Sequence, residues 1–262
     1  MNYYLGNRRL WVFDFDGTIS PIVPDRDAAR LHPSCRDLLK RLAAGPGNFV
    51  AVLSSRSLED LASRVRLPGV ILGGGSGLEW RLPGGHRVVP GDAAEARRDR
   101  TRDAISPHLA RLASFPGVDL EDKVWSVAVH HRRVLPEARG MLEPLLSELG
   151  RAPGIRVFRG PSVVEVQLLS NVSKSFGVRR ICRILGIDPS EHHVLFAGDD
   201  ENDAVAIRWV LKKGGTALCV GSRLRIPGAI VVDGPAGLAR TVRQMATAGP
   251  RAGRRKRKEV TA

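Results

Sequence analysis

Cysteine is scarce in this chain: Cys35, Cys182 and Cys219 are the three in 262 residues. An odd, widely spaced set supplies neither a disulfide framework nor a metal-binding spacing. A reducing, cytoplasmic setting is therefore expected. Long apolar runs are missing too. Nothing approaches the roughly 20 residues that a membrane helix needs, so no membrane association is expected. The stretch MNYYLGNRRLWVF lacks the basic, apolar, small-residue order of a secretory signal. Aromatic residues make up 5% of the chain, and none interleaves the basic run RAGRRKRKEVTA at 251–262. That excludes a base-stacking platform. Residues 249–262 are expected to form a disordered basic tail, and nucleic acid is not expected as a partner beyond a weak contact of that tail. Acidic residues number 27 against 41 Lys and Arg, giving a net charge of +14, of which residues 251–262 supply +5. The balance favours anionic partners, phosphorylated metabolites among them.

What is present is an ordered alternation. RLWVFDFD, NFVAVLSS and GVILGGG read as continuous apolar strands, separated by the helical patterns PSCRDLLKRLAA and SLEDLASRVR. Ser57 is a good N-cap for the second helix, with Asp60 three residues on. Continuous apolar strands alternating with helices indicate an α/β fold with a parallel sheet covered on both faces. Between about 91 and 170 the pattern changes. A helix over 91–114 precedes LEDKVWSVAVHHRR, whose polar–apolar alternation marks a half-exposed antiparallel strand. A helix near 137–149 follows, then strands IRVFRG and VVEVQLL joined by a turn at Gly160–Pro161. This order is an α+β unit with one sheet face free, inserted into a core formed by 1–90 and 171–248. After it the first pattern resumes: SKSFGVRRICRILGI as a helix with Phe176, Ile181, Ile184 and Leu185 inward, HHVLFAGDD as a strand, ENDAVAIRWVLKK as a helix, strands TALCVG and AIVVDG, and a last helix near 235–247. The pairs His130–His131 and His192–His193 are not expected to chelate metal, because adjacent strand residues face opposite ways.

Four polar clusters stand at matching places. Asp14 and Asp16 follow the first strand; Ser54, Ser55 and Arg56 follow the second; Lys174 precedes a helix; Asp199, Asp200 and Asp203 follow a later strand. In an open parallel sheet the functional crevice lies beyond the carboxyl ends of the strands. Asp14 and Asp16, two apart, face one small target, and Asp199 makes a third carboxylate there. Like charges that close repel unless a cation intervenes, and all-oxygen ligands suit Mg²⁺. Lys174 adds an amine that holds a phosphate and the nucleophile together, and Ser54 offers a hydroxyl and nearby N–H groups to phosphate oxygens. The arrangement suits phosphoryl transfer. Asp14 is expected to attack phosphorus, Asp16 to act as acid and base, and Gly17 to permit the tight bend between them.

These residues resemble the haloacid dehalogenase (HAD) superfamily: DFDGT is similar to its first motif, Ser54 to the second, Lys174 to the third and GDDEND to the fourth. The resemblance implies a Rossmann-like core, Mg²⁺ as cofactor, Asp14 as nucleophile, and Asp16 as acid/base whose backbone carbonyl also meets the metal. It assigns Asp199 as a metal ligand and Asp203 as the residue that orients it or a bound water; Asp14, Asp16, Asp200 and Asp203 are counted with Asp199 as metal-binding, and Ser55 and Arg56 with the phosphate-binding group. The inserted unit resembles the type IIB (C2B) cap. Within that group DFDGTISPIVPDRDAA, LSSRSLEDL, GLEWRLPGG and EDKVWSVAVHHR look like segments of trehalose-6-phosphate phosphatases. That likeness implies Glu121, Lys123 and Glu165 as sugar-binding residues of the cap, with Arg132 beside them. The sequence departs from the pattern at Ser55, at Gly75–Ser76 and at the end of GDDENDA. The implied reaction is trehalose 6-phosphate plus water to trehalose and phosphate, by a monomeric enzyme. Hydrolysis of glucosylglycerol or sucrose phosphate, and a non-catalytic sugar-phosphate sensor, are the alternatives.

Overall fold

A computed structural model describes residues 8–247 except 161, 191 and 192. The basic run at 251–262, the turn residue Pro161 and His192 lie outside them.

The first unit is an eight-stranded sheet. Its strands are β1 (Arg9–Phe13), β2 (Asn48–Leu53), β3 (Val70–Gly74), β4 (Glu79–Arg81), β5 (Arg87–Val88), and, late in the chain, β10 (His193–Gly198), β11 (Thr216–Val220) and β12 (Ile230–Val232). They run in the order β12-β11-β10-β1-β2-β3-β4-β5. The six from β12 to β3 are parallel, and β4 and β5 extend the edge antiparallel. Alternation along β1 distributes its residues between two cores. Trp11 and Phe13 pack with Cys35, Leu38 and Leu39 of α1 (Pro33–Ala44), Leu61 of α2 (Leu58–Arg64) and Leu238 and Val242 of α7 (Gly234–Thr247). Leu10 and Val12 pack with Val178 and Ile181 of α5 (Lys174–Ile184) and Ile207 and Val210 of α6 (Glu201–Lys212). Ser57 caps α2 as its sequence foretells, accepting from Asp60 N at 3.2 Å.

Between β5 and α5 lies the second unit: α3 (Asp92–Ala113), β6 (Asp119–Asp122), β7 (Ser126–His130), α4 (Arg139–Leu149), β8 (Arg156–Arg159) and β9 (Val163–Gln167). Its antiparallel sheet, ordered β6-β7-β9-β8, buries Val129, Val164 and Val166 against Ile105 and Leu112 of α3 and Leu142 and Leu146 of α4. The opposite face carries Glu121, Ala128 and Glu165 in one cross-strand row. That face meets the first unit through Trp125 Nε1 donating to Glu79 Oε1 (2.8 Å), Gln167 Nε2 donating to Ser76 Oγ (3.1 Å) and an Arg26–Glu121 ion pair (3.1 Å).

Three readings of the sequence change. LEDKVWSVAVHHRR is two strands, not one, because the chain turns at Lys123–Trp125, where Val124 takes φ +71°. Lys174 is the first residue of α5 rather than its forerunner, and Ser173 is the cap. The inward face of α5 is Lys174, Val178, Ile181 and Cys182, while Phe176, Ile184 and Leu185 are only partly buried. The short strands β4 and β5 were not anticipated.

Candidate active site

The first carboxylate of the site leaves β1 at its carboxyl end. Asp14 N is held by Ala197 O of β10 at 3.0 Å, which fixes the side chain at the seam between the two central strands. Asp14 is 3% exposed. Asp199 follows β10 directly, and Asp203 stands one turn into α6. One carboxylate oxygen from each of Asp14, Asp199 and Asp203 lies within 4.8 Å of the others. Gly17 has to be a glycine here: its φ is +80°, and a Cβ there would lie 2.2 Å from Asp199 Oδ2.

The buried amine of Lys174 joins this cluster. Its Nζ donates to Asp14 Oδ1 at 2.6 Å and to Asp203 Oδ1 at 2.5 Å. Asp203 is the most engaged of the three: its Oδ2 also accepts from Asp199 N (3.0 Å) and Asp200 N (3.3 Å). It therefore holds the loop and the lysine in place, leaving Asp14 and Asp199 as the carboxylates with capacity for a cation. Asp14 Oδ2 has no hydrogen bond among the described residues. Asp200 caps α6 through one oxygen, Oδ1, which accepts from Asn202 N (2.9 Å) and Asp203 N (3.2 Å), and it lines the cleft.

Electrostatics match the geometry. Burial pushes the Asp14 carboxyl up to about 7, opposed by Lys174 and reinforced by Asp199, Asp200 and Asp16. Burial also pushes Asp199 up to about 7, with Asp203 and Asp200 adding to it. The Lys174 ammonium goes well above its ordinary value, because Asp14 and Asp203 outweigh the cost of its burial. Hard oxygen donors that crowd and repel fit a divalent cation such as Mg²⁺.

Asp16 behaves differently from Asp14. It lies beyond the strand, its side chain 46% exposed, and both its oxygens accept from Arg56, Nε to Oδ2 and Nη2 to Oδ1, each at 2.7 Å. Arg56 also pairs with Asp60 Oδ2 (2.7 Å) and donates to Arg26 O (3.1 Å). Arg56 is thus a clamp on Asp16 rather than a free phosphate ligand. Acid–base work at Asp16 requires the carboxylate to turn away from that fork. Ser54 is buried, with its Oγ accepting from Arg56 N at 3.2 Å.

A cleft of about 250 Å³ opens between the carboxyl ends of the parallel strands and the free face of the second sheet. Asp16, Ser55, Arg56, Asp199 and Asp200 line it from one side, and Glu121, Lys123 and Glu165 from the other. Lys123 Nζ donates to Glu165 Oε2 at 2.7 Å, and Ser126 Oγ donates to Glu165 Oε1 at 2.6 Å. Lys123 lies one residue past the end of β6, and its Nζ reaches the same side of the sheet as Glu121, 3.9 Å from Glu121 Oε2. Arg132 is not in the cleft; it is exposed and donates to Pro24 O at 2.9 Å, tying the two units together. Three polar lining residues were missed, Arg26, His130 and Arg223, along with the apolar Ile22, Val23 and Val163. Arg223 follows β11, so the rule that sites gather at strand carboxyl ends was available to find it. Arg26 opens a single 3-10 turn, Arg26–Ala28, too short for the sequence pattern to reveal.

A family model described as Trehalose-phosphatase matches residues 12–222. The chain belongs to the trehalose-phosphatase family. The trehalose-phosphate phosphatase of Mycobacterium bovis BCG is 38% identical over 155 residues, which is 59% of this chain and 39% of that protein. The match thus spans well under half the length of that trehalose-phosphatase relative. Among solved structures, the C-terminal domain of Candida albicans trehalose-6-phosphate phosphatase superposes with a TM-score of 0.74 at 22% identity, over 92% of each chain. A haloacid dehalogenase-like hydrolase from Bacteroides thetaiotaomicron superposes with a TM-score of 0.64 at 18% identity, over 91% of this chain and 99% of that one. Both show the fold: this trehalose-phosphatase family member has a Rossmann-like α/β core, as the haloacid dehalogenase-like hydrolase does.

The raised carboxyls give a prediction for stability. The unfolded chain releases the Asp14 and Asp199 protons near pH 3.8, whereas the folded one keeps them to about 7. Between those values the native state binds more protons, so stability falls as pH rises through the window. A divalent cation replaces the protons. In thermal unfolding, Mg²⁺ is expected to raise Tm more near pH 8 than near pH 5, relative to EDTA-treated protein. Equal shifts at both pH values would contradict the cluster as a cation site.

Proposed function

We propose that the chain is a Mg²⁺-dependent phosphomonoester hydrolase that converts trehalose 6-phosphate and water to trehalose and phosphate. The observation that carries this reading is the convergence of Asp14, Asp199 and Lys174 at one strand-end seam, facing a second sheet that offers Glu121, Lys123 and Glu165. Family membership and the names of the relatives support the substrate. In this reading 1–90 and 171–248 form the catalytic core, 91–170 is a cap, and the protein is monomeric and cytoplasmic. The burial of all three cysteines as free thiols fits a reducing setting. Among the described residues no helix is long and apolar enough to cross a membrane.

Asp14 Oδ2, the oxygen that Lys174 leaves free, attacks phosphorus as the bond to the sugar oxygen breaks. Asp16, released from Arg56, gives that oxygen its proton. The resulting aspartyl phosphate is hydrolysed by a water whose proton returns to Asp16. Mg²⁺, held by Asp14 and Asp199, supplies the neutralising charge that lets an anionic phosphate approach these acids. Lys174 keeps the Asp14 carboxylate oriented, Ser55 lines the cleft at the phosphate end, and the neighbouring Ser54 is buried, accepting from Arg56 N. Glu121, Lys123 and Glu165 take the sugar hydroxyls, and closure over the cleft excludes water.

Phosphate release from trehalose 6-phosphate, sucrose phosphate and glucosylglycerol phosphate, with and without Mg²⁺, tests the reading. Turnover of trehalose 6-phosphate above the others, only with the cation, is expected. Binding without turnover would instead mark a sensor.

Lys123 carries a second test. A hydrogen bond to a charged group contributes about 1.5–3 kcal/mol, roughly 10- to 100-fold in kcat/KM. Lys123→Ala is expected to lose that much on trehalose 6-phosphate and much less on p-nitrophenyl phosphate, which has no sugar. Equal losses would assign Lys123 a structural role only.

A further inference from the structure

A second concavity, of about 480 Å³, lies between α1, α2 and the loop before α1. Its lining is Asp27, Arg30, Arg36, Ser63, Arg64 and Arg66, none of which lines the carboxylate cleft. Arg64 is the structural member: its side chain is 7% exposed and pairs with Asp60 and Asp27. The other three arginines have no carboxylate partner among the described residues. Arg30 donates to the carbonyls of Asp27 (2.6 Å) and Ala29 (2.9 Å), and Arg66 to that of Ser63 (3.0 Å). Arg36 makes no side-chain hydrogen bond or ion pair among them.

Arg30, Arg36 and Arg66 have no carboxylate of their own, while Asp27 and Asp60 are both engaged by Arg64, so about two to three positive charges stay uncompensated around one hollow, an arrangement that costs self-repulsion unless an anion fills it. The planar fork of each guanidinium matches phosphate oxygens two at a time. A single phosphate carries about 1.5 to 2 negative charges, too few for balance. No aromatic or aliphatic side chain lines the hollow, so nothing there would hold a nucleobase. A concave cup also differs from the extended stripe that a nucleic-acid backbone follows.

We propose that this concavity is a binding site for a compact anion carrying two or more linked phosphates, separate from the cleft and independent of the reaction assigned there. The probe is inorganic tripolyphosphate, titrated calorimetrically into the full chain at about 0.15 M salt without Mg²⁺, where weak surface attraction is screened. Saturable 1:1 binding is expected. The double variant R36A/R66A should weaken it at least tenfold while keeping the parent Tm and phosphate-release rate. R179A/R183A, which removes two charges from α5, should leave it unchanged. ATP should bind no more tightly than tripolyphosphate. The proposal is overturned if no saturable binding occurs, if both double variants lose affinity equally, or if citrate, ATP or a short DNA duplex binds more tightly than tripolyphosphate.

Discussion

Asp14→Asn is expected to lower phosphate release by at least about 10⁴-fold, the scale seen when a covalent nucleophile is removed, while the fold persists. An amide has nearly the volume of the carboxyl and keeps an oxygen for Lys174, which still has Asp203 as a partner. It cannot form an acyl phosphate. The substitution also removes a charge that burial disfavours and that Asp199 repels. Tm should therefore stay within about 3 °C of the parent, the width that roughly 1 kcal/mol spans in a chain of this size. The Mg²⁺-dependent rise in Tm should shrink, because one of the two carboxylates with cation capacity is gone. Activity assays and thermal unfolding on one sample separate the outcomes. Substantial turnover would remove Asp14 from the nucleophile's role, and a collapsed Tm would show that the residue is structural.

Lys174→Met should harm both properties at once. The lysine is 3% exposed and stands between two buried carboxylates. Removing one partner of a buried ion pair costs about 3–5 kcal/mol, because the remaining charge is uncompensated. That corresponds to a fall in Tm of about 10 °C. With the ammonium gone, Asp14 and Asp203 take up protons instead, so their folded pKa values rise further and the loss of stability should deepen as pH increases. Phosphate release should drop with it. A variant with parental Tm across pH would mean that the amine does not hold this cluster together.

The parts of the site that the sequence revealed are those set by chain direction. A run such as LWVF followed by acids can only be a buried strand with its carboxylates at one end, and a parallel sheet then gathers all such ends at one rim. What stayed hidden depends on where long side chains reach. Arg56 could have faced a phosphate; only the folded loop shows its guanidinium gripping Asp16 and Asp60. Asp200 looks like any acid of its cluster until α6 begins at the next residue and takes its side chain as a cap. Arg132 points to the wrong loop for a sugar ligand. The break between β6 and β7 was overlooked although the alternation fails there, at the polar run Glu121-Asp122-Lys123 and the apolar pair Val124-Trp125, because Val124, β-branched, gives no turn signal despite its positive φ. Strands β4 and β5 were too short to leave a period.

A crystal structure with Mg²⁺ and beryllium fluoride, a mimic of an acyl phosphate, tests the central claim most directly. The fluoride adduct is expected on Asp14 Oδ2, with the cation between Asp14 and Asp199 and Lys174 still on Asp14 Oδ1. An adduct on another side chain, or a cation bound away from this seam, would contradict the account.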